Sequence, residues 1–387
     1  MSVHKGHKIL LLPNSKQEST FGQWAGVHRW AWNYGLRRKI ETYKETGKSP
    51  RAYSLMKEVV KLKRAEEYVW LNDASKSVPR KALMQLDDAY TNFYRRCRNG
   101  NKQKGFPKFK SKKYSKVVFH LEPDQVWVED HRIRLPKIGW VRMSKPLRFE
   151  GKLVGTVAIS EQAGKWYASI NVETEHVPAD NQGGEVGIDW GVKSLATLSD
   201  GTTYENPKAL KHHEKLFARA QRQLAKKQKG GKRREKAKLR VQRIQKRIAD
   251  IRANAIHQAT SEIVSQHSFV AMEDLNVKGM VKNHCLAGAV SDAAPGEFKR
   301  QVQYKLDWNG GELALVDRWF HSSKLCSVCG CINDSLTLAD REWDCLDCGA
   351  HHDRDENAAK NILAKALQTP GGSDGAGRGG AGELMPT

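Results

Sequence analysis

Residues 326–349 read "CSVCGCINDSLTLADREWDCLDCG", and nothing else in the 387-residue chain restricts the fold as tightly. Cys326 and Cys329 form one C-x-x-C pair and Cys345 and Cys348 a second, with fifteen residues between them. Two tight knuckles, each presenting two thiolates, close the tetrahedral shell of a zinc ion. A closed shell leaves no position for substrate, so the Zn²⁺ expected here is structural. Cys331 offers a fifth thiol beside the first knuckle, although the pairs satisfy zinc without it. A redox reading of C-x-x-C accounts for one pair and not for two. The remaining cysteines, Cys97, Cys285 and Cys331, are scattered, which suits metal binding in a reducing compartment better than a disulfide framework. The chain is therefore expected to be intracellular.

A formal net charge of +23 points to a polyanionic partner, because each Lys or Arg placed on a phosphate releases a condensed counterion. Nucleic acid is the first candidate and an acidic membrane the second. No run of 18 apolar residues exists, and the apolar stretch of "MSVHKGHKILLLPNSK" is too short for a secretory signal, so no membrane partner is expected. The charge is concentrated in two places. Residues 99–116, "NGNKQKGFPKFKSKKYSK", carry seven lysines and no acid. Aromatics interleaved with lysines suit stacking on bases and contact with phosphates, which makes Lys104, Phe106, Lys108, Phe109, Lys110, Lys112 and Lys113 candidate nucleic-acid contacts. Residues 208–252 hold eighteen Lys/Arg against three acids. Two helices fit there, broken at "KGGK", with Val241, Ile244, Ile248, Ile251 and Ala255 as one apolar stripe. Solvated helices normally mix signs, so a groove wall for nucleic acid is the better reading, with Lys226, Lys227, Arg233 and Arg234 beside the break as candidate contacts.

The rest of the chain divides by period. "KILLLP" within residues 1–18 reads as a strand. Residues 19–116 begin with Trp24, Val27, Trp30 and Ala31 at helical spacing, repeat the pattern in "RKALMQLDDAYTNFYRRC", and end in the basic stretch. Residues 117–178 break into short alternating runs that predict a small barrel. The first strand lacks a neighbour of its own and is expected to join that barrel across the helical insertion. Residues 179–184 read as a linker, and the Gly-rich 370–387 as a disordered tail.

Three elements deliver carboxylates. "EVGIDWGVKSLATLSDGTTY" predicts an antiparallel meander with Asp189 in its first strand; "SFVAMEDLNV" is an apolar strand that ends in Glu273; "HHDRDENAAKNILAKAL" opens a helix with acids. A lone acid beside a turn is more often a cap. Three acids on buried-looking elements are another matter, because a buried carboxylate costs several kcal/mol unless a metal or partner neutralises it. Two divalent ions about 4 Å apart, held by such acids, are the usual machinery for attack on a phosphodiester. Mg²⁺ suits oxygen ligands, and no histidine cluster competes for a softer metal. In the last helix Asp355, Ala359, Ile362 and Ala366 share the apolar face, whereas Asp353 falls with Asn357 and Lys360 on the polar side. Asp353, with Glu356 three residues later, reads as the helix cap.

In this order, Asp189 in "GIDWG", Glu273 in "EDL", the four-cysteine ribbon and "DRDENAAKNI" resemble the split RuvC nuclease domain of transposon-encoded TnpB proteins, compact relatives of type V CRISPR effectors. "GFPKFKSKK" at 105–113 also resembles a segment of that family. The resemblance implies a multidomain α+β and α/β chain. An RNase H-like (RuvC) nuclease domain would occupy 185–320 and 351–369, with the zinc ribbon at 321–350 inserted. A wedge β-barrel, 1–18 and 117–178, would be interrupted by a helical recognition domain at 19–116. It implies an RNA-guided, metal-dependent DNA endonuclease, a hydrolase cutting double-stranded DNA next to a short flanking motif. The guide RNA would be encoded near the transposon end, and the protein would act as a monomer with RNA in the cytoplasm and at the nucleoid. It further implies Asp189, Glu273 and Asp355 as catalytic magnesium ligands, the third being the acid two residues before Asn357. Two alternatives stay open: an RNA-guided DNA-binding repressor that does not cut, and a structure-specific nuclease acting without RNA.

Overall fold

The computed structural model describes residues 2–177, 181–337 and 339–368. The expected tail at 370–387 and the first two residues of the expected linker lie outside the described residues. The chain forms two compact units, Met1–His176 and Val177–Thr387.

In the first unit, β1 (Ser2–Leu12) leads into α1 (Ser15–Thr46), α2 (Ala52–Leu62) and α3 (Ser77–Arg98). The strands β2 (Val118–Leu121), β3 (Trp127–Glu129), β4 (Arg132–Leu135), β5 (Gly139–Met143), β6 (Lys152–Gln162) and β7 (Lys165–Glu175) follow. They form one antiparallel sheet in the order β2-β6-β7-β1-β5-β4-β3. β1 pairs along β7 from Ser2 opposite Glu175 to Leu11 opposite Trp166, and its end pairs with β5. The chain thus returns after three helices to build a sheet around its own first strand. α1 starts where Asn14 and Gln17 form a reciprocal capping box, and it ends at Gly47 with φ of 70°. Phe21 and Trp24 of α1 pack against Phe119 of β2 at 5.7 and 5.4 Å, and Phe21 meets Trp166 of β7 at 5.0 Å.

One hydrophobic core therefore serves both helices and sheet. The sequence period separates a helical insertion from the strands; the structure joins them, because an amphipathic stripe needs an apolar surface and the sheet supplies it. The basic stretch after α3 is not helical. Trp32 Nε1 donates to the Lys108 carbonyl at 3.0 Å, and the Asn33 side chain both donates to and accepts from the Lys110 backbone at 2.8 Å.

The second unit contains β8 (Gly184–Asp189), β9 (Ser194–Leu198), β10 (Thr203–Glu205), α4 (Ala209–Ala225), α5 (Lys232–Gln266) and β11 (His267–Glu273). Then come α6 (Val277–Met280), α7 (His284–Ala293), α8 (Pro295–Asn309), β12 (Glu312–Val316), β13 (Glu342–Asp344), β14 (His351–Asp353) and α9 (Arg354–Gln368). The main sheet runs β10-β9-β8-β11-β12, with β8, β11 and β12 parallel and β9 and β10 antiparallel. Residues 181–184 are no free linker: Asn181 Nδ2 donates to the His267 carbonyl at 3.1 Å, Ser268 Oγ donates to the Gly183 carbonyl at 2.6 Å, and Gly184 already pairs with His267.

Strand alternation assigns the two faces of this sheet. Val186, Ile188, Val270 and Met272 join Ile256 and Ile263 of α5 and Phe298 and Val302 of α8 in one core. Ala271, with Val316, packs on the other face against Ile362 and Ala366 of α9. α4 and α5 form a hairpin closed by Ala220, Val241, Ile244 and Ile248; beyond Ile251 the buried stripe of α5 continues through Ile256 rather than Ala255.

Candidate catalytic and metal-binding site

Asp189 and Glu273 are the last residues of neighbouring parallel strands, and Ile188 pairs with Met272 just before them. By alternation, Gly187 and Asp189 share one face, and so do Ala271 and Glu273. That is the face covered by α9. The helix comes unusually close at Gly187: a Cβ placed there would overlap the Ala359 carbonyl oxygen and stand 2.9 Å from Leu363 Cβ and Leu363 N. Asp355 lies one turn before Ala359, so the glycine that admits the helix also brings the third acid down to the strand ends.

The electrostatics reflect this gathering. Burial, then Asp355, then Glu273 push the Asp189 carboxyl well above its usual range, against a smaller opposing pull from Arg354 and Arg341. Burial also raises Glu273, opposed by the hydrogen bond that Ser322 Oγ donates to its Oε1 at 2.5 Å. Arg341 Nη1 stands 3.6 Å from Asp355 Oδ1. Asp353 occupies a different role: its Oδ1 accepts from the backbone N–H of Asp355 at 2.9 Å and of Glu356 at 3.0 Å, which caps α9.

Between β12 and α9 the four cysteines converge. Their sulfurs all lie within 4.8 Å of one another, with Cys326–Cys348 at 3.7 Å and Cys329–Cys345 at 3.6 Å. A tetrahedron with metal–sulfur bonds of about 2.3 Å has sulfur–sulfur edges of about 3.8 Å. The donor set therefore fits a metal ion. Both knuckles turn alike: Gly330 and Gly349, at φ of 77° and 72°, donate to the carbonyls of Cys326 and Cys345 at 2.9 Å. Cys331 stays outside the cluster and contributes its carbonyl to the Cys326 N–H at 2.8 Å. Among the described residues these four are the one group of three or more Cys, His, Asp or Glu side chains gathered this closely; the three acids are not drawn together to that degree.

Several residues here were not evident from sequence. Asn357, assigned to the polar face, is 1% exposed; its Oδ1 accepts from the Ser327 N–H at 2.9 Å and its Nδ2 donates to the Leu325 carbonyl at 2.7 Å. Asn361, one turn on, donates to the carbonyls of Ser322 and Leu325 at 2.8 and 2.6 Å. Asn357, expected on the polar side with Lys360, instead faces the backbone of the first knuckle together with Asn361. The repeated Asn in "DENAAKN" was the available signal. Arg354 likewise donates to the Thr337 carbonyl at 2.8 Å.

The candidate nucleic-acid residues divide. Lys104, Lys108, Lys112, Lys113 and Phe109 are exposed. Lys110 is turned inward, its ammonium 3.5 Å from the Trp32 ring centroid and its pKa lowered to about 8 by burial. Phe106 is exposed on one side only, edge-on to Tyr90 and Phe93 at 5.6 and 5.2 Å. Lys226, Lys227 and Arg233 are exposed at the α4–α5 turn. Arg234 is not free: its Nη1 donates to the Leu224 and Lys227 carbonyls at 2.8 Å, closing the end of α4, whose carbonyls the helix itself cannot satisfy.

Comparison with known proteins gives a consistent picture. A family described as "Probable transposase" matches residues 169–284, a "Cas12f1-like, TNB domain" matches 296–362, and a "Helix-turn-helix domain" matches 1–48, where this chain has β1 and the single helix α1. A protein of Streptomyces pristinaespiralis named "Putative RNA-guided DNA endonuclease" is 35% identical over 96% of this chain and 92% of its own length. The Escherichia coli K12 protein "Putative RNA-guided DNA endonuclease InsQ" is 34% identical over 92% and 91%. In fold, the chain is similar to the Cas12f1 protein solved as a Cas12f1-sgRNA-target DNA complex, with a TM-score of 0.53 at 14% identity over 94% of this chain and 99% of that one.

Proposed function

Because the chain belongs to the TnpB family, we propose that it is an RNA-guided DNA endonuclease whose cutting centre is Asp189, Glu273 and Asp355. The observation that carries the assignment is the convergence of three acids from three elements on one face of the sheet, under a helix admitted by Gly187. In this reading the second unit is an RNase H-like nuclease domain of the RuvC type, and the sheet of the first unit is the wedge domain with its helical insertion. A guide RNA and a target DNA duplex are the partners, and the exposed lysines of 104–113 and the α4–α5 turn contact their backbones.

The three carboxylates would hold divalent cations such as Mg²⁺, and oxygen donors without a histidine or thiol among them suit that ion. Bound there, the cations supply a neutralising charge for the phosphodiester and a water acidic enough to attack it. The chain's own residues prepare the site. Ser322 fixes one oxygen of Glu273 and leaves the other free, and Arg341 places a permanent positive charge beside Asp355. Asp189 is partly buried, so charge interactions there are screened less than on the open surface. The four cysteines would hold a structural Zn²⁺, since their shell closes without an open position.

The test uses protein carrying its copurified RNA, with cleavage and gel-shift on one preparation. Asp189→Ala should bind target as the parent does and cut nothing; an Asp189→Ala chain that cuts at the parental rate removes the assignment. Target binding without cutting by the unsubstituted chain would make it an RNA-guided DNA-binding protein.

A further inference from the structure

The turn after β8, the first part of α4, and α7 line a half-open cavity of about 800 Å³, a volume within the usual range of small-ligand sites. Val192, Phe217, Leu286 and Ala289 give it apolar walls, and Lys193, Lys208 and Lys211 stand among its lining. Of its two acids, Asp292 is engaged by Arg252 at 2.7 Å and by the Leu210 N–H at 2.9 Å, which leaves Glu214 against the lysines. The cavity reaches toward the acids through Arg341. Lys193 follows Asp189 by four residues, and Arg341, also in the lining, is the residue 3.6 Å from Asp355.

One wall is bare backbone. Gly288 lies inside α7, where glycine weakens a helix, and a Cβ built on it meets no atom within 4 Å. A flat ring can approach the helix there. An anion alone would have no use for the apolar walls, and an apolar ligand none for the lysines. A nucleotide uses both.

We propose that this cavity seats one unstacked nucleotide of the DNA strand being cut, its base against the apolar wall over Gly288 and its flanking phosphates toward Lys193, Lys208 and Lys211. The proposal rests on the nuclease reading above and adds to it a positioning site. A base held out of the stack fixes the strand in register and places a neighbouring phosphodiester at the acids. A paired duplex cannot enter, so the site selects strand that is already open.

The test uses RNA-loaded Asp189→Ala protein, which binds without cutting, and targets carrying 2-aminopurine at successive positions around the cleavage point. One position should brighten at least about threefold on binding, because the fluorophore leaves the stack. Gly288→Trp, which fills the cavity from an open helical position, should abolish that rise at protein concentrations where a gel-shift shows the target fully bound. Lys211→Glu should reduce it. In the cleaving chain Gly288→Trp should slow cutting by about tenfold or more, as expected when a strand loses its positioning. A rise at no position, a rise that survives Gly288→Trp, or a rise only with the fluorophore in the guide RNA overturns the proposal. Failure of the unsubstituted chain to cut DNA strikes the nuclease reading instead, and the fluorescence still decides the pocket.

Discussion

Gly187→Ala adds one methyl group to the second unit and should disable the cutting centre. The new Cβ would stand 2.9 Å from Leu363 Cβ and Leu363 N, and closer still to the Ala359 carbonyl oxygen, where ordinary contact begins at 3.4 Å. Backbone on both sides leaves no rotamer to relieve the overlap, so α9 itself must retreat by about 0.5 Å at Leu363 and further at Ala359. Overpacking of this kind costs about 1–3 kcal/mol. Asp355 sits one turn from Ala359 and moves with the helix. A misplacement of about 1 Å in a catalytic group costs about 100-fold in rate, so cutting should fall by that factor although no acid has been changed. Gly184→Ala is the control on the same strand, because its Cβ meets only His267 Cδ2 at 3.8 Å. Single-turnover cleavage and thermal melting of RNA-loaded protein decide the matter. Parental rate and melting temperature for Gly187→Ala would show that α9 is not held by this contact and that the convergence of the acids has another cause.

Asp355→Ala should eliminate cleavage, whereas Asp353→Ala should lose about 1 kcal/mol of stability, the usual worth of a cap, and keep activity; rates and melting curves for both would expose a reversed assignment. Cys345→Ser should lower bound zinc below one per chain, and Cys331→Ser should leave it unchanged, as measured by metal analysis. With Mg²⁺ left out of the buffer, the raised carboxyl of Asp189 binds its proton more tightly in the fold than in the unfolded chain, so stability declines as pH rises from the ordinary value of 3.8 through the raised one. Asp189→Asn should then melt above the parent at neutral pH, the gap closing toward about pH 4, and equal melting at neutral pH refutes the assignment of strain to that group. Replacing Lys104, Lys108, Lys112 and Lys113 by alanine should flatten the salt dependence of RNA affinity, its logarithmic slope falling by about 0.7 for each phosphate left without a lysine, whereas Lys110→Ala should lower stability and leave the slope alone.

What was legible in the sequence was whatever depends on local pattern. The knuckles are short-range turns with ligands at fixed offsets, so Cys326, Cys329, Cys345 and Cys348 announce themselves, as does the meander from Asp189. Asp353 as cap follows from helix periodicity. What stayed hidden depends on which surface meets which. The helices of residues 19–98 read as an insertion, but Phe21 and Trp24 belong to the core of the sheet. Lys110 and Arg234 read as phosphate contacts from sequence, whereas in the fold one packs on a tryptophan face and the other donates to the Leu224 and Lys227 carbonyls. A cation has the same letter in both roles, and only the fold supplies the competing partner. Gly187 carries no sequence signal beyond being glycine, because the atom that excludes a side chain lies more than 170 residues away, in α9.

The position of the ribbon in the chain follows from these contacts. It lies between the element that holds Glu273 and the helix that holds Asp355, and it grips both. The Ser322 hydroxyl holds the Glu273 carboxylate, and the Ser322 carbonyl accepts from Asn361 of α9. The first knuckle presents the Ser327 N–H and the Leu325 carbonyl to Asn357, and the arm between the knuckles gives the Thr337 carbonyl to Arg354. An N-terminal helical turn has no hydrogen-bonded turn before it and frays first, yet Asp355 is placed on that turn. Four thiolates closed around one ion would make the knuckles rigid, and two asparagines and an arginine would pass that rigidity to the helix end. A metal that touches no substrate would then set the geometry of the proposed catalytic acids, so chelating it should lower the cleavage rate before the sheet unfolds, with loss of protection at the Asp355 and Glu356 amides in hydrogen exchange as the first visible change.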